Sequence, residues 1–381
     1  MDTLFFRDTW AEINLDHVSE NVMNFKKHIP DNVKMLAVVK ANAYGHGYEQ
    51  IARAALEAGA DGLAVAFLDE ALLLRKVGIN TPILVLGASR PEDAGTAAEQ
   101  GVSLTVYTKE WLEEATRHVG QRLNLHVKCD TGMGRIGVRN AQELLEITDA
   151  INAHEHFHFE GVFTHFATAD ELDDTYADTQ LETFNSMISQ LPQLPEYVHS
   201  SNSAATLRRK DALFNTVRIG ISLYGLTPSR EMQPHLPFEL KEVLSLRTKL
   251  IHVKEMDQGE KVSYGATYET GNREWIGTLP IGYADGWIRK LQGQEVLISG
   301  RRAPIVGRIC MDQCMVRLPG PVETGEPVTL IGRQGDEHIP ADELADKLDT
   351  INYEVTCMIA ARVPRVYTRG GAVVEVSNHL L

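Results

Sequence analysis

Length, composition and charge already exclude several classes of protein. The chain has 381 residues, of which 43% are hydrophobic and 23% are charged, so it is not a collagen, a disordered tail or a disulfide scaffold. Lys and Arg number 37 against 52 Asp and Glu, and the formal charge of -15 argues against nucleic acid or an anionic membrane surface as a partner. An anionic ligand must therefore be held by a few locally placed cations.

The N-terminal segment and the cysteines predict a compartment. Met1–Trp10 carries charged residues and no apolar core, so we expect no signal peptide. No apolar run approaches the roughly 20 residues that span a bilayer. The cysteines are scattered and form neither a C-x-x-C pair nor a complete metal-binding pattern; they are Cys129, Cys310, Cys314 and Cys357. These features are typical of a cytoplasmic protein without a bound metal.

The first part of the chain alternates short apolar runs with stretches of helical period. The predicted strands are Thr9–Leu15, Met35–Val39, Leu63–Phe67, Ile83–Leu86, Leu104–Tyr107, Leu123–Val127, Gly161–Phe166, Tyr197–His199 and Val217–Leu223. The predicted helices are Glu49–Ala58, Asp69–Val77, Glu92–Gln100, Lys109–His118, Ala141–Ala150 and Thr175–Gln190. Strands that alternate with helices form parallel βαβ units. Eight of these strands fit an α/β fold, the (β/α)8 TIM-type barrel, and Thr9–Leu15 is an extra strand.

The pattern changes after about residue 240. Strand-like runs separated by Gly-containing turns are Val243–Lys254, Trp275–Leu279, Glu295–Ser299, Ala303–Arg308, Met311–Leu318 and Pro327–Ile331. Only Ala341–Lys347 is convincingly helical there, and the Pro-containing segment Thr227–Glu239 is the predicted linker. We therefore predict two domains: a barrel over residues 1–240 and a mostly-β domain over residues 241–381.

Lys40 is the clearest candidate for a functional residue in the predicted barrel. It follows the apolar run Met35–Val39 and precedes a loop that contains Gly45 and Gly47. The carboxyl end of a barrel strand faces the active-site mouth, and a lysine there can form a Schiff base. The alternative, which position alone leaves open, is a lysine that simply reaches water.

Polar groups follow other predicted strands at the same end. The segment KCDTGMGRIG, residues 128–137, is glycine-rich but lacks the spacing of a nucleotide-binding loop, and its Arg135 is a candidate carboxylate or phenolate clamp. Further candidates are His165, Ser203, Arg218 and the amides of Gly220 and Ile221. Any one of them is more often structural, but several at successive strand ends favour an assembled site.

Three polar insertions interrupt the predicted β domain. They are VSYGATY around Tyr264, CMDQ around Met311 and Asp312, and TINYE around Tyr353. Taken alone, the two tyrosines are better explained as half-buried packing aromatics than as functional residues.

The motifs of the whole chain together resemble one enzyme family. They are, in order, AVVKANAYGHG, KCDTGMGRIG, THFATAD, HSSNSAATL, VRIGISLYG, VSYGATY, IGYADGW, GRICMDQCMV and INYE. Over its full length the chain resembles alanine racemase, an enzyme that depends on pyridoxal phosphate and supplies D-alanine for peptidoglycan. The resemblance implies a barrel with a C-terminal β domain, assembled as a head-to-tail homodimer whose active sites are shared between subunits.

The resemblance also implies a role for individual residues. Lys40 resembles the lysine that forms the internal aldimine, and Tyr264 resembles the catalytic tyrosine supplied by the partner subunit. Residues that resemble the cofactor-binding groups are Tyr44, His165, Ser203, Arg218, Gly220, Ile221 and Tyr353. Residues that resemble the substrate-binding groups are Arg135, Met311 and Asp312. Lys128 aligns with a position that is carbamylated in some members, where it orients the equivalent of Arg135.

The implied reaction interconverts L-alanine and D-alanine by a two-base mechanism. Lys40 serves one face of the planar intermediate and Tyr264 the other. An ordinary tyrosine, with a pKa of about 10, is a poor base at neutral pH, so neighbouring donors such as His165 and Arg218 must stabilise its phenolate. Arg218 leaves the pyridine nitrogen unprotonated, because arginine does not readily give up a proton.

Three other functions compete with this interpretation. A pyridoxal-phosphate decarboxylase of the same fold places a glutamate at the pyridine nitrogen, whereas this chain has Arg218. A non-catalytic cofactor carrier would lack both the β domain and Tyr264. A metal-dependent barrel hydrolase could use Lys128, His165 and His199 as ligands, but no H-x-H follows an early strand.

Overall fold

The computed structural model describes residues 5–381, so the first four residues of the segment expected to carry no signal peptide lie outside it. The described chain forms two compact units. One, called the barrel unit, comprises Val18–Ala43 and Tyr48–Lys241. The other, called the β unit, comprises the residues up to His17, Tyr44–Gly47 and Glu242–Leu381. Among the described residues, no helix is long and apolar enough to cross a membrane.

The barrel unit is built on eight parallel strands. They are β2 (Lys34–Val38), β3 (Gly62–Val65), β4 (Ile83–Val85), β5 (Ser103–Val106), β6 (Leu123–Lys128), β7 (Phe157–Phe163), β8 (Tyr197–His199) and β9 (Thr216–Ile219). The sheet order is β8-β7-β6-β5-β4-β3-β2-β9. The backbone N–H of Arg218 in β9 donates to the Ser201 carbonyl just beyond β8, at 3.0 Å, so the sheet is nearly closed.

Helices alternate with these strands along the chain. They are α1 (Leu15–His28), α3 (Tyr48–Glu57), α4 (Leu68–Lys76), α5 (Ala94–Glu99), α6 (Lys109–Ala115), α7 (Ala141–Asn152), α8 (Thr175–Ile188) and α9 (Ser203–Arg208). The segment α2 (Lys40–Tyr44) is a single turn with a left-handed backbone. Strands β3, β4 and β5 are buried at every position, as expected when a parallel sheet is covered on both faces. The prediction of a (β/α)8 barrel is confirmed.

The β unit contains the remaining strands and two helices. They are β1 (Thr9–Asn14), β10 (Leu244–Lys249), β11 (His252–Met256), β12 (Lys261–Val262), β13 (Tyr268–Glu269), β14 (Glu274–Leu279), β15 (Glu295–Ile298), β16 (Arg301–Val306), β17 (Cys314–Leu318), β18 (Pro327–Gln334), β19 (Glu337–Ile339), α10 (Ala341–Leu348), α11 (Asn352–Cys357), β20 (Arg365–Arg369) and β21 (Ala372–Ser377). The main sheet has the order β11-β14-β17-β16-β15-β18-β10-β1-β20-β21, with β19 on β18. The mostly-β character predicted for this part of the chain is confirmed.

The first described strand departs from the sequence-based domain boundary. The sequence pattern places residues 1–17 in the barrel domain, but β1 pairs antiparallel with β10 and parallel with β20, inside the β unit. Every second residue of β1 is buried, which is the pattern of a strand covered on one face. The barrel strands, buried on both faces, do not alternate in this way, and this difference explains where β1 pairs.

Candidate active site

Titratable side chains collect at the carboxyl ends of the barrel strands. Lys40 follows β2, Lys128 ends β6, His165 lies two residues after β7, His199 ends β8, and Arg218 lies within β9. Because the strands are parallel, these ends share one rim.

The pKa of His165 shows that several basic side chains of this rim lie near its ring. Burial is the largest influence that lowers the pKa of His165, and the positive charges of Arg218, Lys128, Arg135 and Lys40 lower it further. Basic side chains from three strand ends, those of β2, β6 and β9, therefore act on a single imidazole. The rim is locally cationic although the whole chain is acidic, as its composition requires for an anionic ligand.

The turn after Lys40 has an unusual backbone. Ala41, Asn42 and Ala43 have φ of 54°, 54° and 51° with ψ of 45–53°, which is the left-handed region. Such a conformation costs roughly 1–2 kcal/mol per non-glycine residue. The Ala41 N–H donates to Glu70 Oε1 at 2.7 Å, and the Ala43 N–H donates to the Val39 carbonyl at 2.9 Å. These bonds hold the strained turn, and strain of this kind concentrates at functional sites.

Arg218 is the hydrogen-bonding centre of the rim. Its side chain is buried, and Nη2 donates to the carbonyls of Thr164 and Ser200, both at 2.9 Å. Nη1 contacts Nδ1 of His199 at 2.6 Å, and Nη2 contacts Nδ1 of His165 at 3.3 Å. A guanidinium can only donate, so both Nδ1 atoms accept and each neutral imidazole carries its proton on Nε2.

The protonation states agree with that geometry. Burial and the Arg218 charge hold the pKa of His199 well below its ordinary value, as they do for His165. Burial and the nearby Arg135 lower the pKa of Arg218 to about 9, so the guanidinium stays charged at neutral pH. Arg218 is thus a fixed cation between two neutral imidazoles.

Lys128 is, like Arg218, a buried basic side chain of the rim. Its Nζ lies 4.5 Å from the centre of the Phe163 ring. Burial, followed by the charges of Arg218 and Arg135, holds the pKa of Lys128 well below its ordinary value. The environment favours the neutral amine, which is the nucleophilic form of a lysine.

Hydrogen-bond donors occur at the start of α9, with Ser203, and just after β9, with Gly220 and Ser222. The Gly220 N–H donates to Ser203 Oγ at 2.9 Å, which leaves the Ser203 hydroxyl proton available to a ligand. Ser222 is buried, and its Oγ has no hydrogen-bond partner among the described residues. A buried hydroxyl without a partner calls for a ligand or an ordered water, so this donor set fits an anionic group such as a phosphate.

The β unit presents two further groups of predicted site residues. The Tyr44 and Tyr353 rings lie 6.2 Å apart, centre to centre. Tyr264, Met311 and Asp312 line one open cavity of about 660 Å³. The Tyr264 side chain is 71% exposed and that of Met311 is 52% exposed.

Arg362 orients the acidic residue of that cavity. Its guanidinium donates to Asp312 Oδ1 at 2.5 Å and to Asp285 Oδ1 at 2.6 Å. Sequence reasoning did not select Arg362, because 50 residues separate it from Asp312 and neither position carries a spacing signal. The structure also reveals His199 as the partner of Arg218, whereas the sequence placed it only at a strand end.

The fold and these groups define a class of protein: a barrel enzyme with an attached β domain and a lysine and an arginine suited to pyridoxal phosphate. Residues 13–228 match the family model of the alanine racemase N-terminal domain, and residues 243–367 match that of the C-terminal domain. The chain is 57% identical to alanine racemase of Geobacillus stearothermophilus, over 98% of this chain and 97% of that one. It is 53% identical to alanine racemase 1 of Bacillus subtilis, over 99% and 97%.

A solved structure is similar to the same degree. It is alanine racemase of Bacillus anthracis with bound L-Ala-P, with a TM-score of 0.96, 52% identity and 99% of both chains covered. The chain belongs to the alanine racemase family. It is a pyridoxal-phosphate-dependent racemase that interconverts L-alanine and D-alanine.

Proposed function

We propose that Lys40 and Tyr264 are the two groups that exchange the Cα proton of alanine, one on each face. Bound pyridoxal phosphate supplies the electron sink that makes this proton removable. Lys40 at the barrel rim supports the assignment, because its amine stands among the cations that act on His165. The role of Tyr264 is supported by its exposed side chain and by its position in the lining of an open cavity.

His165 and Arg218 prepare Tyr264 for its role as a base. The Nδ1 atom of His165 accepts from Arg218, so its Nε2–H is directed away from Arg218 and can donate to a phenolate oxygen. A donor of this kind stabilises the charged form of tyrosine. Arg218 itself holds the pyridine nitrogen without protonating it, because the guanidinium keeps its proton at neutral pH.

The remaining predicted residues hold the cofactor and the substrate. Ser203, Gly220 and Ile221 bind the phosphate, and the unpartnered hydroxyl of Ser222 supports a phosphate at this place. Tyr44 and Tyr353, which lie close together, complete its binding.

Arg135 and the β-unit cavity of a second copy of the chain bind the alanine. Arg135 pairs with the substrate carboxylate through a charge-assisted contact, and a carbamate on Lys128 orients Arg135.

Tyr264, Tyr353 and Met311 limit the space around the β-carbon. Asp312 belongs to the substrate site, and Arg362 holds it in place. Serine differs from alanine by a hydroxyl that an apolar pocket rejects weakly, so slower serine racemisation accompanies the main activity.

The Tyr264 cavity completes the site of a second copy of this chain. Its exposed tyrosine and methionine support this arrangement, since large exposed apolar side chains grouped in one cavity mark an interaction surface. The barrel domain binds the cofactor, the β domain contributes to the partner's site, and the homodimer is the active form. The protein acts in the cytoplasm, where D-alanine is supplied for peptidoglycan.

Exchange of subunits tests the shared site. Lys40→Ala and Tyr264→Phe are each expected to be inactive as homodimers. After subunit exchange, half of the dimers are mixed and each has one intact site, so about a quarter of wild-type activity returns. No recovery would show that both residues act within one subunit.

The main support for the proposal is the environment of His165. A buried, charged Arg218 donates to this neutral histidine, and the charge of Lys40 acts on the same ring. Chiral analysis of L-alanine turnover tests it. The wild type forms D-alanine, and Lys40→Ala forms none and loses the visible absorbance of the bound cofactor. Release of carbon dioxide instead of D-alanine would identify a decarboxylase.

A further inference from the structure

A continuous chain of buried hydrogen bonds leads away from Arg218 through the barrel. Nη1 of Arg218 contacts Nδ1 of His199 at 2.6 Å, and Nε2 of His199 contacts Nδ1 of His126 at 3.0 Å. Nε2 of His126 then contacts Oε2 of Glu160 at 3.0 Å. Arg218, His199 and His126 are each no more than 3% exposed. The chain therefore joins a buried cation to a carboxylate through two imidazoles shielded from water.

The direction of every bond in this chain is determined. Arg218 can only donate, so Nδ1 of His199 accepts and its proton lies on Nε2. That proton is donated to Nδ1 of His126, which places the His126 proton on Nε2, facing Glu160. An ionised carboxylate can only accept, so Glu160 at the far end fits the orientation that Arg218 imposes.

Hydrogen-bond donors around Glu160 favour its ionised form. Besides His126, it accepts a hydrogen bond from Ser103 Oγ at 2.5 Å and one from Asn124 Nδ2 at 2.8 Å. Burial by itself would raise the pKa of Glu160, but the donors His126 and Ser103 outweigh burial and hold the pKa below its ordinary value. The terminal acceptor is thus charged at neutral pH.

Two adjacent residues of β7, Glu160 and Gly161, give the backbone a local shape that accommodates the hydrogen-bond chain. Between β6 and β7 the register passes from Leu125 opposite Phe159 to His126 opposite Gly161, so Glu160 is the extra residue of a β-bulge. Bulges redirect a side chain. A Cβ on Gly161 would overlap the His126 ring, so only glycine at that position leaves space for the imidazole.

Aromatic rings fix the two imidazoles from the side. The Phe163 ring stacks on His199, with centres 4.7 Å apart and planes at 12°. The His126 ring lies 5.4 Å from that of Tyr197. Packed rings of this kind hold the hydrogen bonds in one geometry.

We propose that His126 and Glu160 are positioning residues for the racemase, which act through His199 to fix the orientation of the Arg218 guanidinium. This proposal rests on the proposed role of Arg218 at the cofactor. Neither residue touches the reacting atoms. Their effect is to hold the His199 ring in the orientation in which Nδ1 accepts from Arg218, and to provide a remote countercharge to the buried guanidinium.

The tautomer of His199 gives a readout that does not depend on activity. In wild-type holoenzyme labelled with ¹⁵N-histidine, we expect His199 and His126 as neutral Nε2–H tautomers by long-range ¹H–¹⁵N correlation. In Glu160→Gln, the charged terminal acceptor is lost while Arg218 still imposes the Nε2–H tautomer on His199, so we expect the ring ¹⁵N shifts of His126 and His199 to move. An Nδ1–H tautomer of His199 in the wild type, or unchanged His199 shifts in Glu160→Gln, would overturn the proposal.

Kinetics provide the second measurement. Changes around such orienting partners typically reduce activity about 10- to 100-fold, so we expect kcat of Glu160→Gln to fall about tenfold with little change in KM, and Glu160→Asp to recover part of the loss. Gly161→Ala displaces the His126 ring without removing a polar atom and should reduce kcat in the same way. A change in KM alone, with kcat retained in both variants, would contradict a positioning role.

A second histidine–glutamate pair supplies the matched control. His338 Nε2 contacts Glu242 Oε2 at 2.8 Å in the β unit. Glu242→Gln removes the same kind of contact and should leave both kcat and the His199 ring shifts unchanged. If Lys40→Ala still racemised alanine, the proposed function would fail, yet the His199 shifts in Glu160→Gln would still decide whether the hydrogen-bond chain acts on His199.

Discussion

Gly47 lies directly against the hydroxyl of Tyr367, so that a Cβ on Gly47 would overlap the tyrosine Oη. The same hydroxyl donates to the His46 carbonyl at 3.1 Å, and Arg365 Nε donates to the Gly45 carbonyl at 3.0 Å. The loop that follows the Lys40 turn is therefore anchored to β20 by its backbone. Gly47 also has φ of +103°, a conformation that disfavours any other residue.

This contact makes Gly47→Ala a test of loop anchoring. We expect the free energy of unfolding to fall by roughly 1–2 kcal/mol because of the backbone conformation. Overpacking against Tyr367 should lower it further, by about 1–3 kcal/mol. Gly78→Ala is the matched control, because Gly78 has φ of +84° but a Cβ added there would meet no atom within 4 Å. Thermal unfolding should show the larger loss for Gly47→Ala, and equal losses would refute the steric argument.

The two imidazoles bound to Arg218 predict a pH dependence of stability. Both pKa values lie well below the ordinary 6.5 when the chain is folded, so the unfolded chain binds more protons as the pH falls below 6.5. The stabilisation is complete above that pH and is lost below it, at about 1.4 kcal/mol per pH unit for each histidine. Urea denaturation between pH 6.5 and 5.5 measures the slope. His199→Gln should reduce it, exposed His252→Gln should not, and identical slopes in all three proteins would contradict the explanation.

Tyr264→Phe tests the face on which the tyrosine acts. If Tyr264 serves only one face, solvent deuterium incorporation should fall about 10²- to 10⁴-fold from L-alanine and much less from D-alanine. Tyr268→Phe is the control, because Tyr268 bonds to Glu274 and does not line the Tyr264 cavity. Equal losses of exchange from both enantiomers would count against a two-base assignment.

Arg218→Glu tests whether the guanidinium determines the reaction type. A carboxylic acid can protonate the pyridine nitrogen, whereas arginine keeps its own proton. We expect racemisation to decrease and side transamination, measured as pyruvate, to increase. An unchanged ratio of pyruvate to D-alanine would exclude this role. Arg218→Lys separates the effect of charge, because lysine keeps the cation but lacks the planar fork that reaches His199 and His165.

Much of the fold could be predicted from local patterns. The bounds predicted for Tyr197–His199 are those of the structure, and most other barrel strands have ends within a few residues of the prediction. The predicted strand Val243–Lys254 is two strands, β10 and β11, because the chain bends at Leu250 and Ile251. The sequence patterns did not predict helix α11 or strands β20 and β21, since their short runs have no distinct period.

Local patterns are enough to predict the alternation that builds the barrel, the lysine at a strand end and the family motifs, because periodicity and motif spacing involve neighbouring residues. The folded structure was needed to show that β1 pairs within the β unit, that His165 and His199 are neutral acceptors of one guanidinium, and that Glu160 lies at the end of a hydrogen-bond chain beginning at Arg218. Burial, tautomer and hydrogen-bond direction depend on side chains that are distant in sequence, such as His126 and His199, and become neighbours only when the strands close around a common core.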